Sequence, residues 1–456
     1  MKIIILGAGQ VGSSLLASLA SEQNDIVMVD LRAEILERLQ DRFDIRTVQG
    51  HASHPPVLQL AGAAEADMLI AATSNDETNM LACQIADLQF KVPCKVARVR
   101  SLEYFSLPGL FSPETIPIDY VISPEQIVTQ FIERLLFHPG ATQVLDFAEG
   151  RVRMASVRAV RGGPMVGREI RELQAHVPNF HARIAAIIRD GHPVVPNGST
   201  MILDGDEVFF LASPEEIYGV MMELGKTEKP YKRLIFAGGG HVGKRVALAL
   251  EHQFQVKVIE RDPDRARKIA ADLQRTTVLV GDAADRDLLQ SENVESVDVF
   301  CAITNNDEVN ILSAMLAKQL GARRVIALIT NDAYAGLIDE SQLDLLISPQ
   351  QATVSALLRY IRRGDIGEVH SIRNGASEAI EMIAHGQAGS SKVIGIPLKA
   401  INIPDGVVLG GLVRNQEIVH IHHDTMIEEG DHVIMFLLDK KLIPLVERFF
   451  QADPVD

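Results

Sequence analysis

Short apolar runs at residues 3–6, 26–29, 68–72 and 95–99 alternate with longer segments whose apolar positions recur at helical spacing. Short apolar runs of this length alternating with helix-length segments read as βαβ units, so the pattern predicts a parallel sheet. The texture changes near residue 143. From there to residue 212, β-rich runs such as 182–188 and 207–211 are split by Gly and Pro turns, which predicts a small α+β domain. Between the two textures Ser123, Pro124 and Gln126 mark a helix start, with the serine as N-cap and proline at the first helical position.

The same sequence of textures then runs a second time. Residues 3–12 answer to 234–243, and Thr73 to Asn79 answers to Thr304 to Asn310, both at an offset of 231. Ile122-Ser123-Pro124 pairs with Ile347-Ser348-Pro349, and Gly205-Asp206 with Gly430-Asp431, at an offset of 225. This period far exceeds that of stacked solenoid repeats, so whole domains are duplicated. The expected fold class is α/β, a tandem duplication of a Rossmann-like parallel-sheet N-lobe followed by a small α+β C-lobe. We divide the chain into a first N-lobe at 1–122, crossover helix at 123–140 and C-lobe at 141–225, then an N-lobe at 231–347, helix at 348–365 and C-lobe at 366–456.

Bulk properties narrow the function classes. The chain has 456 residues, 47% of them hydrophobic and 23% charged, an ordinary globular balance with material for several cores. No apolar run is long enough to span a membrane, and the first residues enter a strand pattern without the features of an export signal. A net charge of -16 works against nucleic acid and anionic lipid surfaces, so membrane contact is expected only through a protein partner. Cys83, Cys94 and Cys301 fit neither a disulfide framework nor a zinc pattern.

The chemistry concentrates at the glycines. Gly7, Gly9 and Gly12 form G-x-G-x-x-G between a strand and a helix, and Gly238, Gly240 and Gly243 repeat it. The first glycine permits the tight turn, the second lets backbone approach a diphosphate, and the third lets helix pack on sheet. The diphosphate then meets unpaired N–H groups at a helix N-terminus. Asp30 and Glu260 end the second strand of each half, where an acid accepts from ribose hydroxyls and repels a 2′-phosphate. NAD(H), ATP or ADP is therefore expected rather than NADP. Asp282 stands where an adenine amino group would arrive, while the first half has His51 there. Thr73, Ser74, Thr304 and Asn305 lie at the carboxyl edge of the sheets as further contacts, or as helix caps.

Taken together, these paired loops, the two Thr-to-Asn segments and the two Ile-Ser-Pro helices resemble the family of NAD-binding peripheral subunits of bacterial Trk potassium uptake systems, along nearly the whole chain. Such subunits contain two regulator-of-potassium-conductance (RCK) units. The resemblance implies nucleotide contacts at Gly7, Gly9, Gln10, Val11, Gly12, Asp30, Thr73, Ser74 and Arg98, and at Gly238, Gly240, His241, Val242, Gly243, Glu260 and Asp282. Arg98 is matched in the second half by Ala327 or a neighbour, so the two sites should differ. Also implied are a homotetrameric ring of RCK units, an integral-membrane Trk channel subunit as partner, and a place on the cytoplasmic face of the inner membrane, with nucleotide binding gating potassium transport. The alternative is an NAD-dependent oxidoreductase with duplicated cofactor domains, which would need a placed acid or base that no histidine supplies. We expect no metal site: His420, His422 and His423 read as a solvated strand face, Asp339-Glu340 and Glu428-Glu429 as solvated loop pairs, and Cys301 as inert in a buried strand.

Overall fold

The computed structural model describes residues 1–20, 24–173, 182–225, 228–335, 337–338, 342–361, 366–372, 377–386, 391–415, 417–419 and 421–450. The first apolar runs form strands β1 (Lys2–Leu6), β2 (Asp25–Asp30), β3 (Arg46–Gln49), β4 (Met68–Ala71), β5 (Cys94–Arg98) and β6 (Tyr120–Ile122). They make one parallel sheet in the order β3-β2-β1-β4-β5-β6. The order reverses between β1 and β4, the switch point where open α/β sheets bind ligands at their carboxyl ends.

A five-stranded antiparallel sheet follows, built from β7 (Ala141–Phe147), β8 (Val152–Arg158), β9 (Arg183–Arg189), β10 (His192–Val194) and β11 (Glu207–Ala212). The second half repeats both sheets. Strands β12 (Arg233–Ala237), β13 (Gln255–Glu260), β14 (Thr277–Val280), β15 (Val299–Ala302), β16 (Arg324–Leu328) and β17 (Leu345–Ile347) run in the order β14-β13-β12-β15-β16-β17. Strands β18 (Ile366–Ile372), β19 (Ser377–Ile383), β20 (Val407–Arg414), β21 (Glu417–Ile418) and β22 (His432–Leu437) form the last sheet. Among the described residues no helix is long and apolar enough to cross a membrane.

The helices that connect the lobes are exchanged between the halves. Helix Pro124–Phe137 starts as its residues dictate, with Ser123 Oγ accepting the Gln126 N–H at 3.4 Å, and Ser348 does the same for Gln351 at the head of Pro349–Ile361. The first presents Val128, Ile132 and Leu136 as a stripe at four-residue spacing, and buries it against Leu234, Phe236, Val246 and Leu250 of the second N-lobe. The second buries Val354, Leu357 and Leu358 against Ile3, Ile5, Leu15 and Leu16 of the first. An apolar stripe specifies a buried face, not the core that receives it, so this exchange was invisible in the sequence.

Two buried polar devices brace the C-lobes. Asp206, 1% exposed, takes both prongs of Arg189 at 2.8 Å and the Leu203 N–H at 2.8 Å. Asp431, 0% exposed, is held identically by Arg414 at 2.8 Å and by the Glu428 N–H at 2.7 Å. Glu381 reaches from β19 to accept the Ala148 N–H of the other C-lobe at 2.8 Å, and Phe209 meets Phe436 across the same junction with ring centroids 5.5 Å apart. The expected histidine strand is not formed. Among the described residues strand pairing along this run ends with β21, and residues 422–425 make a turn in which the His422 N–H donates to Thr425 Oγ1; His420 lies outside the described residues, as do Asp339 and Glu340.

Candidate functional site

Each glycine loop divides its labour in a way the spacing alone does not show. Gly7 turns at φ +102°, and a Cβ on Gly12 would stand 1.9 Å from the Gly7 carbonyl oxygen. Gly238 (φ +110°) and Gly243 (1.9 Å) repeat both constraints, so these four glycines are demanded by the chain's own backbone. The middle glycines are not. A Cβ on Gly9 or Gly240 meets nothing within 4 Å, and both residues have ordinary extended conformations as N-caps of Gln10–Leu19 and His241–Leu250. Neither helix start has a side-chain cap, so the first-turn N–H groups around Gln10, Val11, His241 and Val242 are left to the space those glycines keep open.

The acids sit beside the loops and are already oriented. Asp30 accepts the Ala8 N–H at 2.7 Å and the Arg32 N–H and Nε at 2.9 and 3.1 Å. Burial works to raise its pKa, but these hydrogen bonds and the Arg32 charge outweigh it and hold the carboxyl below the usual range. Glu260, 6% exposed, accepts the Gly239 N–H at 3.0 Å and the Asp262 N–H at 2.9 Å.

Thr73 and Thr304 lie at the far side of each loop, with their hydroxyls committed within the chain. Thr73 Oγ1 donates to Asn79 Oδ1 at 2.6 Å, the Thr73 N–H donates to the same oxygen at 3.0 Å, and Asn79 Nδ2 reaches the Thr73 and Arg98 carbonyls at 3.2 and 2.8 Å. Thr304, Asn310 and the Leu328 carbonyl form the same staple around a fully buried asparagine. Asn75 and Asn306, rather than Thr73, Ser74, Thr304 or Asn305, cap the helices that follow. The repeated asparagines Asn79 and Asn310 were the available signal for the staple. They shape the rim of the switch point by tying the end of β4 to β5 and β15 to β16.

That staple also fixes the register between halves. The carbonyl that Arg98 presents to Asn79 is presented in the second half by Leu328, so the counterpart of Arg98 is Leu328 and not Ala327, which pairs with Ala302 as Ala97 pairs with Ala71. The first carboxyl edge is thereby cationic. Burial lowers the pKa of Arg98 while Glu125 raises it, and both Arg98 Nε and Glu125 Oε2 are buried without a hydrogen bond. Arg100 bonds the Ser74 carbonyl, and Arg245 crosses from the second half to Ser123 Oγ at 3.0 Å and the Arg100 carbonyl at 3.3 Å. In the second half Leu328, Thr330 and Gln350 stand in the places of Arg98, Arg100 and Glu125, and Ser14 of the first half in that of Arg245. Asp282 is exposed past β14, its Oδ1 accepting the Ala284 N–H at 2.9 Å.

Each half thus repeats an uncapped helix start beneath an open glycine, with a hydrogen-bonded acid beside it. The TrkA-N domain profile matches residues 3–124 and 234–349, and the TrkA-C domain profile matches 154–225 and 388–443. The chain belongs to the TrkA family. It is 51% identical to the Trk system potassium uptake protein TrkA of Halomonas elongata over 99% of both chains, and 51% identical to that of Vibrio alginolyticus over 100% of this chain and 99% of the relative. A Methanosarcina mazei homologue is 30% identical over 99% of this chain. Among solved structures, the GsuK RCK domain aligns with a TM-score of 0.61 at 16% identity, covering 98% of this chain and 94% of that one. The GsuK channel bound to NAD aligns at 0.62 and 17% identity, covering 98% and 78%. These establish the double RCK fold. Membership sets the protein among regulatory proteins of potassium uptake, apart from the dehydrogenases that share the glycine fingerprint.

Proposed function

We propose that this TrkA protein binds NAD(H) and adenine nucleotides at its two glycine loops and, through them, gates potassium transport by an integral-membrane Trk subunit. The observation that carries the reading is the open volume over Gly9 and Gly240. Nothing in the chain requires glycine there, and a diphosphate does. Residues 7–12 with Asp30 and Arg98 hold the first ligand; Thr73 and Ser74 line that site through their backbone. Residues 238–243 with Glu260 and Asp282 hold the second, with Thr304 and Asn305 at its rim. The buried, unbonded Arg98 Nε supplies a donor toward the end of the ligand opposite the ribose. A bound nucleotide shifts the lobes only by binding one arrangement more tightly than another, and its charge supplies such a difference.

We further propose that the protein assembles as a homotetrameric RCK ring at the cytoplasmic face of the inner membrane, where the Trk partner holds it. Calorimetric titration of ADP, ATP and NADH into the purified chain tests binding, and potassium currents of the reconstituted complex test gating. Currents that ignore all three nucleotides would remove the gating half of the proposal. Replacing Arg98 by Ala should weaken binding at the first loop alone.

A further inference from the structure

The sheet order makes a ligand's direction readable. With the diphosphate on the β1 loop and the ribose on the acid closing β2, the base must continue outward to the end of β3. In the first half the chain leaves β3 beside that acid: the Gly50 N–H donates to the Asp30 carbonyl at 3.0 Å, and Gln49 Nε2 to the Leu31 carbonyl at 3.1 Å. The residues waiting there are His51 and His54, whose rings stack with centroids 4.6 Å apart at 27°. His51 is held further by Ser53, whose Oγ and N–H lie 3.1 and 3.4 Å from Nδ1. Across the strand end, Leu31 is 62% exposed, an apolar side chain kept in water next to the ribose acid.

The second half occupies the same positions with different chemistry. Asp282 replaces His51, Asp285 replaces His54 and Arg261 replaces Leu31. Asp285 caps helix Arg286–Ser291 through the Asp287 and Leu288 N–H groups at 2.9 and 3.4 Å. His54 heads the matching helix, Pro55–Leu60, and makes no cap bond. The first half thus has no cap at this helix and stacks one imidazole on another in its place. Asp282 gives one oxygen to its own turn and leaves the other without a protein partner among the described residues.

Resting on the nucleotide-binding reading, we infer that the two sites select the base differently: His51, stacked on His54, is a shelf for any purine, with the exposed Leu31 at the neighbouring strand end, whereas Asp282 selects adenine. Stacking needs only a flat π face and tolerates every base. A carboxylate accepts the adenine 6-amino group but meets a bare carbonyl oxygen on guanine, leaving two acceptors opposed.

The test reads each cradle separately. Gly240→Val leaves only the first and Gly9→Val only the second, and each full-length chain is titrated calorimetrically with ADP and GDP. The first cradle should bind the two within about threefold of each other. Adding His51→Ala should weaken both by about tenfold, the usual scale of one lost base stack, and His51→Phe should restore them. The second cradle should prefer ADP by about thirtyfold or more, and Asp282→Ala should abolish that preference. Equal discrimination at both cradles, or a His51→Ala chain that binds ADP as before, overturns the inference while leaving nucleotide binding intact. Failure of both cradles to bind ADP overturns the nucleotide reading and this inference with it.

Discussion

Replacing Gly9 by Val and Gly12 by Ala separates what the glycine loop does for the ligand from what it does for the fold. Gly9 sits at φ -74°, ψ -171°, open to any L-residue, and its added side chain enters empty space. Valine is a poor N-cap, yet losing glycine's unfolded freedom returns about 0.4–1 kcal/mol, so net stability should change by less than about 1 kcal/mol. The ligand fares worse. Amide hydrogen bonds to a charged group contribute about 1.5–3 kcal/mol each, so blocking two costs about 3–6 kcal/mol, a fall of roughly 10²- to 10⁴-fold in affinity. Gly12→Ala strikes the fold first: its methyl would lie 1.9 Å from the Gly7 oxygen, and helix Gln10–Leu19 must lift off β1. Overpacking of that kind destabilises by about 1–3 kcal/mol or more. ADP titration in a Gly240→Val background, with scanning calorimetry of both variants, measures the two effects. A Gly9→Val chain that binds ADP normally, or that melts as early as Gly12→Ala, refutes the division of roles.

Asn79→Ala should remove four hydrogen bonds made by a fully buried side chain, lowering stability by about 2–4 kcal/mol in urea unfolding, with Asn310→Ala matching it. Asp431→Asn should cost about 1–3 kcal/mol, because the buried end of a two-pronged ion pair loses its charge while Arg414 keeps only its exposed pairing with Glu428. Glu251 should give an acid limb to the stability of the second N-lobe. Burial raises its pKa, but the N–H groups of Gln274, Arg275 and Thr276 and the Thr276 hydroxyl together bring it below the ordinary 4.5. A carboxyl depressed on folding stabilises fully above its unfolded value and loses that contribution as pH falls through the folded one, so melts from pH 6 downward should fall below about pH 4.5, less steeply in Glu251→Gln.

The duplicated layout was legible because it rests on local signals. The interiors of strands β1, β2 and β4 are buried on both faces, so those residues could only be apolar, and the three-glycine loop has few structural explanations once a strand precedes it. Where the sequence left a position open, tertiary register decided it. Arg98 and Leu328 sit at corresponding ends of β5 and β16, and only the asparagine staples align them. Asp206 and Asp431 stood out as a repeated Gly-Asp pair, and their arginines Arg189 and Arg414 repeat at the same offset of 225, but only the sheets show that each pair meets across strands. Arg245 is more remote still, entering the first site from the other half of the chain.

That remoteness bears on how two sites on one chain could act together. Each crossover helix is rooted in one half and packed on the Rossmann sheet of the other, so neither half can change the angle between its lobes without moving a helix that its partner's core also owns. Arg245 makes the dependence electrostatic as well as steric. Its guanidinium bonds Ser123 and the Arg100 carbonyl, with burial lowering its pKa and Glu125 opposing that, so negative charge brought near this edge would attract a group carried by the second N-lobe. This fold therefore leaves little room for a response confined to one RCK unit. Coupling between sites is reciprocal in free energy, and at the usual scale of about 1–3 kcal/mol each nucleotide would change the other's affinity by roughly 5- to 150-fold. Because the first edge carries arginines that the second lacks, that reciprocity need not involve the same nucleotide twice, and a chain with two unequal cradles can weigh one ligand against another.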